Sequence, residues 1–310
     1  MKKRILAVLI ATALAVSVTG CAGNATSSSD STSASSVAES SDTSTQTSAD
    51  ASSEDESKEE SSQEESKDLE ANYTKYTLDG DLTQHMIDMS RLNEGNKVRL
   101  ANVIKKLKNG EEVTVGFIGG SITQGTSAGN DLCYAKLTAD WLQKTYSNAK
   151  INYVNAGIGA TGSYIGVHRV ENDLLSKKPD LVFVEFSVND TTENTERNKK
   201  SYDGLLRTIW KSSTNPAIIT IATTQEDGTS FQDQHAEIVK HYDLPMISYR
   251  NTILDTIKHG DIVWKDISDD NIHPNVPGHK IVSQLLQAYI SDVDKDVDNI
   301  SGSESDFTTP

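Results

Sequence analysis

Short apolar runs alternate with amphipathic stretches through the middle of the chain. The runs are rich in β-branched and aromatic residues and have the length of buried strands, and they lie at residues 113–118, 151–154, 181–186, 217–222 and 246–249. The stretches with helically spaced apolar residues predict helices at 92–107, 131–146, 164–175, 202–211, 232–241, 253–258 and 276–290. Strands that are separated by helices in this way predict a parallel sheet.

The strands are almost continuously apolar, which indicates a sheet covered by helices on both faces. With right-handed crossovers, five such strands predict a three-layer α/β/α sandwich with the flavodoxin-like strand order 2-1-3-4-5. We expect the domain to occupy residues 71–292, with 73–91 packed on it as an N-terminal extension. Residues 293–310 are again polar and predict a flexible tail.

The N-terminal segment has the pattern of a secretion signal. Residues 1–4 include three basic side chains, and 5–18 form an apolar stretch that is short for a membrane span. The stretch ends at Val18-Thr19-Gly20-Cys21, which resembles the lipobox of bacterial lipoproteins. This resemblance implies a signal peptide at 1–21 and lipidation of Cys21, and two acyl chains suffice for a stable anchor on the extracellular face of the cell membrane.

Residues 22–70 predict a disordered tether. They consist of Ser, Thr, Ala, Asp and Glu with almost no large apolar side chain, and their 13 acidic and two basic residues give a net charge of −11. Such a composition cannot bury enough apolar surface to offset the entropy lost on ordering. A flexible chain of this length reaches about 40 Å, which would hold a domain away from a membrane.

Charge and cysteine content exclude several classes of function. The whole chain carries 29 basic and 45 acidic residues, a net charge of −16. Without the +3 of the signal segment and the −11 of the tether, the remainder has a net charge of −8 and no Lys/Arg cluster, which argues against nucleic acid as a partner. Only Cys21 and Cys133 are present, so neither a disulfide nor a cysteine-based zinc site is expected. We predict that Cys133 is a buried apolar residue.

Four segments with uncommon residues follow the predicted strands: Gly-Gly-Ser-Ile-Thr at 119–123, a glycine-rich stretch at 155–163, Ser-Val-Asn-Asp at 187–190, and Asp-Asn-Ile-His-Pro at 270–274. Taken singly, each could be a turn, a tight connection, a helix cap or a loop. The carboxyl ends of parallel strands meet at one edge of a sheet. The first three segments should therefore converge, and the fourth can reach them.

These residue types fit nucleophilic catalysis. A serine hydroxyl such as that of Ser121 is a weak nucleophile until a base removes its proton, and His273 is the candidate base, with Asp270 able to hold its second nitrogen. Attack on a carbonyl forms an oxyanion that needs donors. The backbone N–H of Ser121, an N–H of the glycine-rich stretch and the Asn189 amide could supply them. The other histidines are weaker candidates, since His85, His168 and His259 have no catalytic context, His235 and His241 lie on a polar helix, and His279 starts the last helix.

Over residues 112–290 these segments resemble the sequence blocks of the SGNH (GDSL-type) hydrolase superfamily. The resemblance implies a flavodoxin-like fold and metal-free ester hydrolysis, with Ser121 as nucleophile, Asn189 in the oxyanion hole, and Asp270 and His273 as the Asp-x-x-His pair. The oxyanion glycine of the family falls on Ala160, with Gly159 or Gly157 as alternatives. Two departures are Gly-Gly-Ser in place of Gly-Asp-Ser and Ser187 in place of glycine. Asp266 and Asp269 compete with Asp270 but lack its three-residue spacing.

The leading hypothesis is an extracellular serine esterase that hydrolyses acyl esters, with acetyl esters of carbohydrates as first choice, through an acyl-enzyme. The same residues would serve an acyltransferase to a sugar hydroxyl, and a non-catalytic glycan-binding protein is a further alternative. Gly120 and Gly125 have phosphate-loop spacing, but Thr126-Ser127 stand where a lysine is required. We expect no cofactor and no catalytic metal.

Overall fold

A mostly parallel six-stranded sheet lies between two layers of helices in the computed structural model, which describes residues 73–191 and 194–307. The strands are β1 (Arg91–Asn93), β2 (Glu112–Gly119), β3 (Lys150–Gly157), β4 (Leu181–Glu185), β5 (Ala217–Ala222) and β6 (Met246–Ser248). The helices are α1 (Gln84–Ser90), α2 (Val98–Lys108), α3 (Ser121–Gln124), α4 (Tyr134–Thr145), α5 (Ser163–Asp173), α6 (Thr195–Trp210), α7 (Gln232–His241), α8 (Tyr249–Lys258), α9 (Trp264–Ile267) and α10 (Val276–Lys295). Short 3-10 turns occur at Leu175–Lys177 and Asn189–Thr191.

The strand order is β1-β6-β5-β4-β2-β3. The five predicted strands are β2 to β6, and they are parallel in the predicted order. The α/β/α sandwich is thus confirmed, but the prediction of five strands is wrong. The sixth strand, β1, pairs antiparallel with β6.

The residues of β1 also correct a helix boundary, because the helix predicted at 92–107 begins only at Val98. The strand has three half-buried residues, too few to show the two-residue alternation that identifies a strand in sequence. Only the edge of β6 supplies its hydrogen-bonding partner.

The central strands contribute side chains to two separate hydrophobic cores, because successive side chains of a strand point to opposite faces of the sheet. On β4, Leu181 and Phe183 lie in one core, whereas Val182 and Val184 lie in the other. Residues of α2, α4, α8 and α10 complete the first core, and residues of α5, α6 and α7 complete the second. The first core also contains Met86 of α1, so the segment before β1 packs on the same domain.

The C-terminal segment is better packed than its composition suggests. The segment predicted as a flexible tail begins inside α10, which runs to Lys295. Farther on, Phe307 is 6% exposed and stacks on Trp210 at 4.3 Å and on Tyr242 at 4.1 Å between ring centroids. One aromatic side chain can bury a large apolar area, which explains how a polar segment is held to the domain.

Several predictions lie outside the described residues: the signal segment, lipidation of Cys21 and the tether at 22–70. The side chain of Cys133 is fully buried, as predicted. Among residues 73–191 and 194–307, no helix is both long and apolar enough to cross a membrane.

Candidate active site

The carboxyl ends of three neighbouring strands bring the first three predicted segments together. In the sheet register, Gly119 at the end of β2 lies beside Gly157 of β3 and beside Glu185 of β4. The segments that follow these residues therefore start at one edge of the sheet, where open α/β sheets bind their ligands.

Ser121 is the first residue of α3 and is 9% exposed. Its Oγ lies 2.9 Å from Nε2 of His273, and Nδ1 of the same ring lies 2.7 Å from Oδ2 of Asp270. The structure thus brings the predicted nucleophile, base and acid into one hydrogen-bonded chain. This is the arrangement in which a histidine can take the serine proton while a carboxylate fixes its tautomer.

A tight turn holds Asp270 against His273. The Oδ1 atom of Asp270 accepts hydrogen bonds from the backbone N–H groups of Ile272 at 2.7 Å and His273 at 2.6 Å. Partial burial acts to raise the pKa of Asp270, but the hydrogen bonds from His273 and Ile272 outweigh it and lower the pKa. The carboxylate therefore remains ionised and oriented toward the ring.

The two competing aspartates point elsewhere. Asp266 accepts a hydrogen bond from the N–H of Val263 at 2.9 Å and so caps α9, and Asp269 Oδ1 lies 3.4 Å from Asn275 Nδ2. The three-residue spacing therefore selected the aspartate that contacts the histidine.

Two residues that sequence reasoning missed support the turn. Trp264 Nε1 donates to the carbonyl of Asp270 at 2.7 Å. The hydroxyl of Ser268 lies 2.8 Å from that carbonyl and 2.6 Å from the carbonyl of His273. Both are buried, and the sequence offered no signal for either because the contacts form only when the loop closes on itself.

Asn189 explains the unusual Gly-Gly-Ser sequence. This residue opens the 3-10 turn after β4, and its side chain packs against the backbone of Gly120. A Cβ at Gly120 would lie 1.9 Å from Asn189 Oδ1, closer than any real contact. The missing side chain at position 120 therefore makes room for the predicted oxyanion asparagine beside Ser121.

The structure also separates the alternatives for the backbone oxyanion donor. The N–H of Gly159 donates to Gln124 Oε1 at 2.9 Å, and Gly157 lets α3 approach, since a Cβ there would lie 2.3 Å from the Gln124 nitrogen. Within the described residues the N–H of Ala160 donates to no acceptor. Ala160 has φ +57°, a left-handed conformation that costs a non-glycine residue about 1 kcal/mol. We therefore retain Ala160 as the candidate donor.

Ser187, the second departure from the family pattern, connects β4 to β5. Its hydroxyl is fully buried and accepts a hydrogen bond from the N–H of Thr223 at 2.7 Å. It also lies 3.3 Å from Oε1 of Glu185. A glycine could make neither contact, so the serine adds a side-chain link between the two strand ends.

A buried Asp190–His235 pair holds the segment that carries Asn189. Asp190 accepts from the N–H of Ser163 at the start of α5 at 2.8 Å, and its other oxygen lies 2.9 Å from His235 Nε2. The His235 ring stacks on Tyr202 at 3.6 Å. Burial lowers the pKa of His235, although Asp190 acts to raise it.

Sequence reasoning placed His235 on a polar-rich helix and so missed this contact. The apolar spacing of α7 could have predicted that His235 is buried, because His235 shares the buried face of the helix with Ala236 and Val239.

His279 is also buried and does not contact the nucleophile in the described residues. Its Nδ1 accepts from the N–H of Tyr134 at 3.1 Å, and burial lowers its pKa to about 4.

Below the site, Glu185 is fully buried at the end of β4. It accepts hydrogen bonds from the hydroxyls of Thr223 at 2.7 Å, Ser187 at 3.3 Å and Thr123 at 3.5 Å. Burial raises the pKa of Glu185 to about 7, even though the hydrogen bonds from Thr223 and Ser187 act to lower it. This carboxyl therefore titrates near neutral pH in the folded protein.

We expect the wild type to lose stability between pH 5 and pH 8, and Glu185→Gln to lose less over the same range. The folded-state pKa lies above the unfolded value of 4.5, so the contribution of Glu185 is fully present below pH 4.5 and is lost as the pH rises through about 7. The amide cannot ionise, and the free energy of unfolding of the variant should fall by roughly 2–3 kcal/mol less than that of the wild type. Urea unfolding at both pH values measures this difference. The exposed Glu171→Gln is the matched control, and parallel profiles for wild type and Glu185→Gln would contradict the prediction.

Comparisons with known proteins identify the family and the fold. The profile of the GDSL-like lipase/acylhydrolase family matches residues 117–281. No curated protein matches the chain. Among solved structures, a two-domain esterase (CEX) active on acetylated mannans is 38% identical, with a TM-score of 0.67 in its mannopentaose co-crystal and 0.69 in a second structure. The match covers 72% of this chain but only 59–60% of that esterase.

Two more distant structures share the fold alone. One is a mutant of Axe2, an acetyl-xylooligosaccharide esterase from Geobacillus stearothermophilus, with 20% identity, a TM-score of 0.50, and coverage of 57% of this chain and 94% of that one. The other is LAE5, an alpha/beta hydrolase from the metagenome of Lake Arreo, Spain, with 18% identity, a TM-score of 0.51, and coverage of 58% and 95%. Since the GDSL profile spans more than half of the chain and contains Ser121, Asn189, Asp270 and His273, this protein belongs to the GDSL-like lipase/acylhydrolase family.

Proposed function

We propose that this protein is a serine esterase that hydrolyses acetyl esters of carbohydrates. The observation that carries the proposal is the hydrogen-bonded chain from Ser121 Oγ through His273 to Asp270, with distances of 2.9 and 2.7 Å. A serine with this partner can act as a nucleophile at neutral pH.

In the first half of the reaction, Ser121 Oγ attacks the ester carbonyl carbon while its proton passes to His273 Nε2. The resulting tetrahedral intermediate collapses when the sugar oxygen leaves and takes that proton, which leaves an acetyl-enzyme on Ser121. Asp270 accepts a hydrogen bond from Nδ1 throughout and stabilises the imidazolium that forms transiently.

In the second half, His273 removes a proton from water, and the water oxygen attacks the acetyl carbonyl. Collapse of this intermediate returns the proton to Ser121 Oγ and releases acetate. Each intermediate carries an oxyanion. The N–H groups of Ser121 and Ala160 and the side-chain amide of Asn189 are the donors that we assign to it.

The resemblance to the mannan-active esterase supports a carbohydrate substrate. A polar cavity also lies beside α3, with a volume of about 340 Å³ and a lining of Gln124, Asn130, Tyr153, Asn155 and Gly157. Gln124 belongs to the same short helix as Ser121. Amide and hydroxyl groups at such a cavity can exchange hydrogen bonds with sugar hydroxyls.

We further propose that the enzyme works outside the cell on a lipid anchor. The apolar segment at 5–18, the Val-Thr-Gly-Cys sequence ending at Cys21 and the acidic stretch at 22–70 support this location. An acylated glycan would then be met outside the membrane, within reach of the tether.

Acetate release from acetylated mannan, acetylated xylan and 4-nitrophenyl acetate tests the proposed function. We expect turnover of at least one glycan, with a higher kcat/KM than for the aryl ester. Turnover of the aryl ester alone would reject the carbohydrate substrate but keep the esterase. Acetyl transfer to added glycan that outruns hydrolysis would favour an acyltransferase, and glycan binding without any turnover would reject catalysis.

We expect Asn189→Ala to lower kcat by about 10²- to 10³-fold, because one oxyanion donor is lost where charge develops in the transition state. KM should change much less, since the ground-state carbonyl interacts weakly with that donor. Steady-state kinetics on 4-nitrophenyl acetate measure both constants. The exposed Asn172→Ala on α5 serves as control, and an unchanged kcat for Asn189→Ala would contradict the assignment.

A further inference from the structure

Two histidines and an aspartate converge where α1 packs on α8. Nε2 of His85 lies 2.6 Å from Oδ2 of Asp255, and Nδ1 of His259 lies 3.3 Å from the same oxygen. His85 and Asp255 are separated by 170 positions in sequence. The three potential ligand atoms all lie within 4.8 Å of one another.

This set of atoms matches the ligand chemistry of zinc. Imidazole nitrogens and a carboxylate oxygen are zinc ligands, with bonds of about 2.0–2.2 Å. In a tetrahedral site, such bonds place neighbouring ligand atoms about 3.3 Å apart. The His259–Asp255 separation of 3.3 Å has that value, whereas the His85–Asp255 separation of 2.6 Å is shorter. Side-chain rotations would bring the three atoms to the tetrahedral spacing, with a fourth position open to water.

The rings are already held in place. Tyr73 stacks on His259 with 4.1 Å between ring centroids and meets His85 edge-on at 5.3 Å. Its hydroxyl donates to Asp261, which also accepts from the N–H of Tyr76. A site whose ligands are oriented by neighbouring groups binds a metal more tightly than one whose ligands must be ordered first.

The burial of these three side chains also favours a metal ion between them. The side chains of His85, Asp255 and His259 are only 3%, 12% and 17% exposed. A carboxylate removed from water to this extent requires hydrogen bonds, paired charge or a metal ion. The two imidazoles already supply polar partners, and Nδ1 of His259 also donates to the backbone carbonyl of Asp255 at 2.9 Å. Zinc coordination would replace that hydrogen bond, after which both neutral rings and the carboxylate can coordinate one divalent cation.

We propose that His85, Asp255 and His259 form a three-ligand zinc site that links α1 to the C-terminal end of α8. Zn²⁺ would bond to Nε2 of His85, Nδ1 of His259 and Oδ2 of Asp255, and each neutral ring would carry its proton on the nitrogen that does not bind the metal. His85 precedes the segment that matches the family profile. Asp255 and His259 lie within that segment, and none of the three residues belongs to the proposed esterase machinery.

Zinc binding to the full chain, purified without a histidine tag and stripped with EDTA, tests the proposal. Titration calorimetry with ZnCl₂ should give one equivalent of tight binding, whereas CaCl₂ should give none because Ca²⁺ prefers oxygen ligands. At a Zn²⁺ concentration a hundred times Kd, the melting temperature should rise by about 5–10 °C.

Two variants connect binding to these residues. His259→Phe keeps a ring to stack on Tyr73 but removes a ligand, and Asp255→Asn keeps the side-chain volume and its hydrogen-bonding capacity. Each should weaken Zn²⁺ binding at least tenfold. The exposed His168→Phe, also beside a tyrosine, should bind as the wild type does.

Absence of stoichiometric Zn²⁺ binding by the wild type, or equal binding by folded His259→Phe and Asp255→Asn, would overturn the zinc site. Circular dichroism establishes which variants are folded. The readout does not use ester hydrolysis, so failure of the zinc proposal would leave the proposed function intact, and the reverse also holds.

Discussion

Replacing Ser121 by alanine should lower kcat for acetate release by about 10⁴-fold or more, to the level that binding and the oxyanion donors alone sustain. Ser121 Oγ is the atom that would form the acyl bond, and it is the atom that contacts His273 Nε2. The methyl group of alanine fits the same space, so the fold and KM should change little. Steady-state acetate release and a thermal melt measure both expectations.

A matched control separates nucleophile loss from general damage. Ser147→Ala removes an exposed hydroxyl between α4 and β3 and should leave kcat unchanged. A fluorophosphonate that labels active serines should modify the wild type and Ser147→Ala but not Ser121→Ala. Hydrolysis that survives in Ser121→Ala would rule out the serine mechanism, and the acyl-enzyme with it.

Replacing His273 by alanine should reduce kcat about as strongly as the serine variant, by roughly 10⁴- to 10⁶-fold. Without the imidazole, none of residues 73–191 and 194–307 offers a base in contact with Ser121 Oγ or an acid to protonate the departing sugar oxygen. Because the two residues act as one unit, the double variant Ser121→Ala/His273→Ala should be no slower than the slower single variant. Steady-state kinetics on the three proteins test this non-additivity.

The control for this prediction is His168→Ala, since His168 is exposed on α5 next to Tyr164. Its kcat should equal that of the wild type. A double variant whose loss is the product of the two single losses would show that Ser121 and His273 act independently. The hydrogen-bonded chain would then not describe the working site.

The residues of the site were predictable because their chemistry is concentrated in short segments. Asp270 and His273 are three residues apart, and a turn of that length brings the carboxylate to the ring. Ser121 and Asn189 each follow a predicted strand directly, so strand direction alone places them at one sheet edge. Their catalytic roles remain predictions until the variants are measured.

Other features of the site depend on atoms that are distant in sequence. The side chain of Asn189 occupies the position that a Cβ of residue 120 would take, and the N–H of Gly159 donates to Gln124 Oε1. Neither contact has a periodicity or a spacing that a sequence could display. The sequence therefore could not choose between Gly157, Gly159 and Ala160 as the backbone donor.

The residue pattern was enough to predict the α/β/α sandwich, the order of the five parallel strands and the segments that carry the candidate chemistry. It could do so because hydrophobic periodicity and turn residues are local properties, and parallel strands with helical crossovers allow few topologies. Other features could be found only in the folded protein: the antiparallel strand at Arg91–Asn93, the packing of Phe307, the buried Asp190–His235 pair and the cluster of His85, Asp255 and His259. Each of these is a contact between groups far apart along the chain, and its free energy exists only once the core has brought them together.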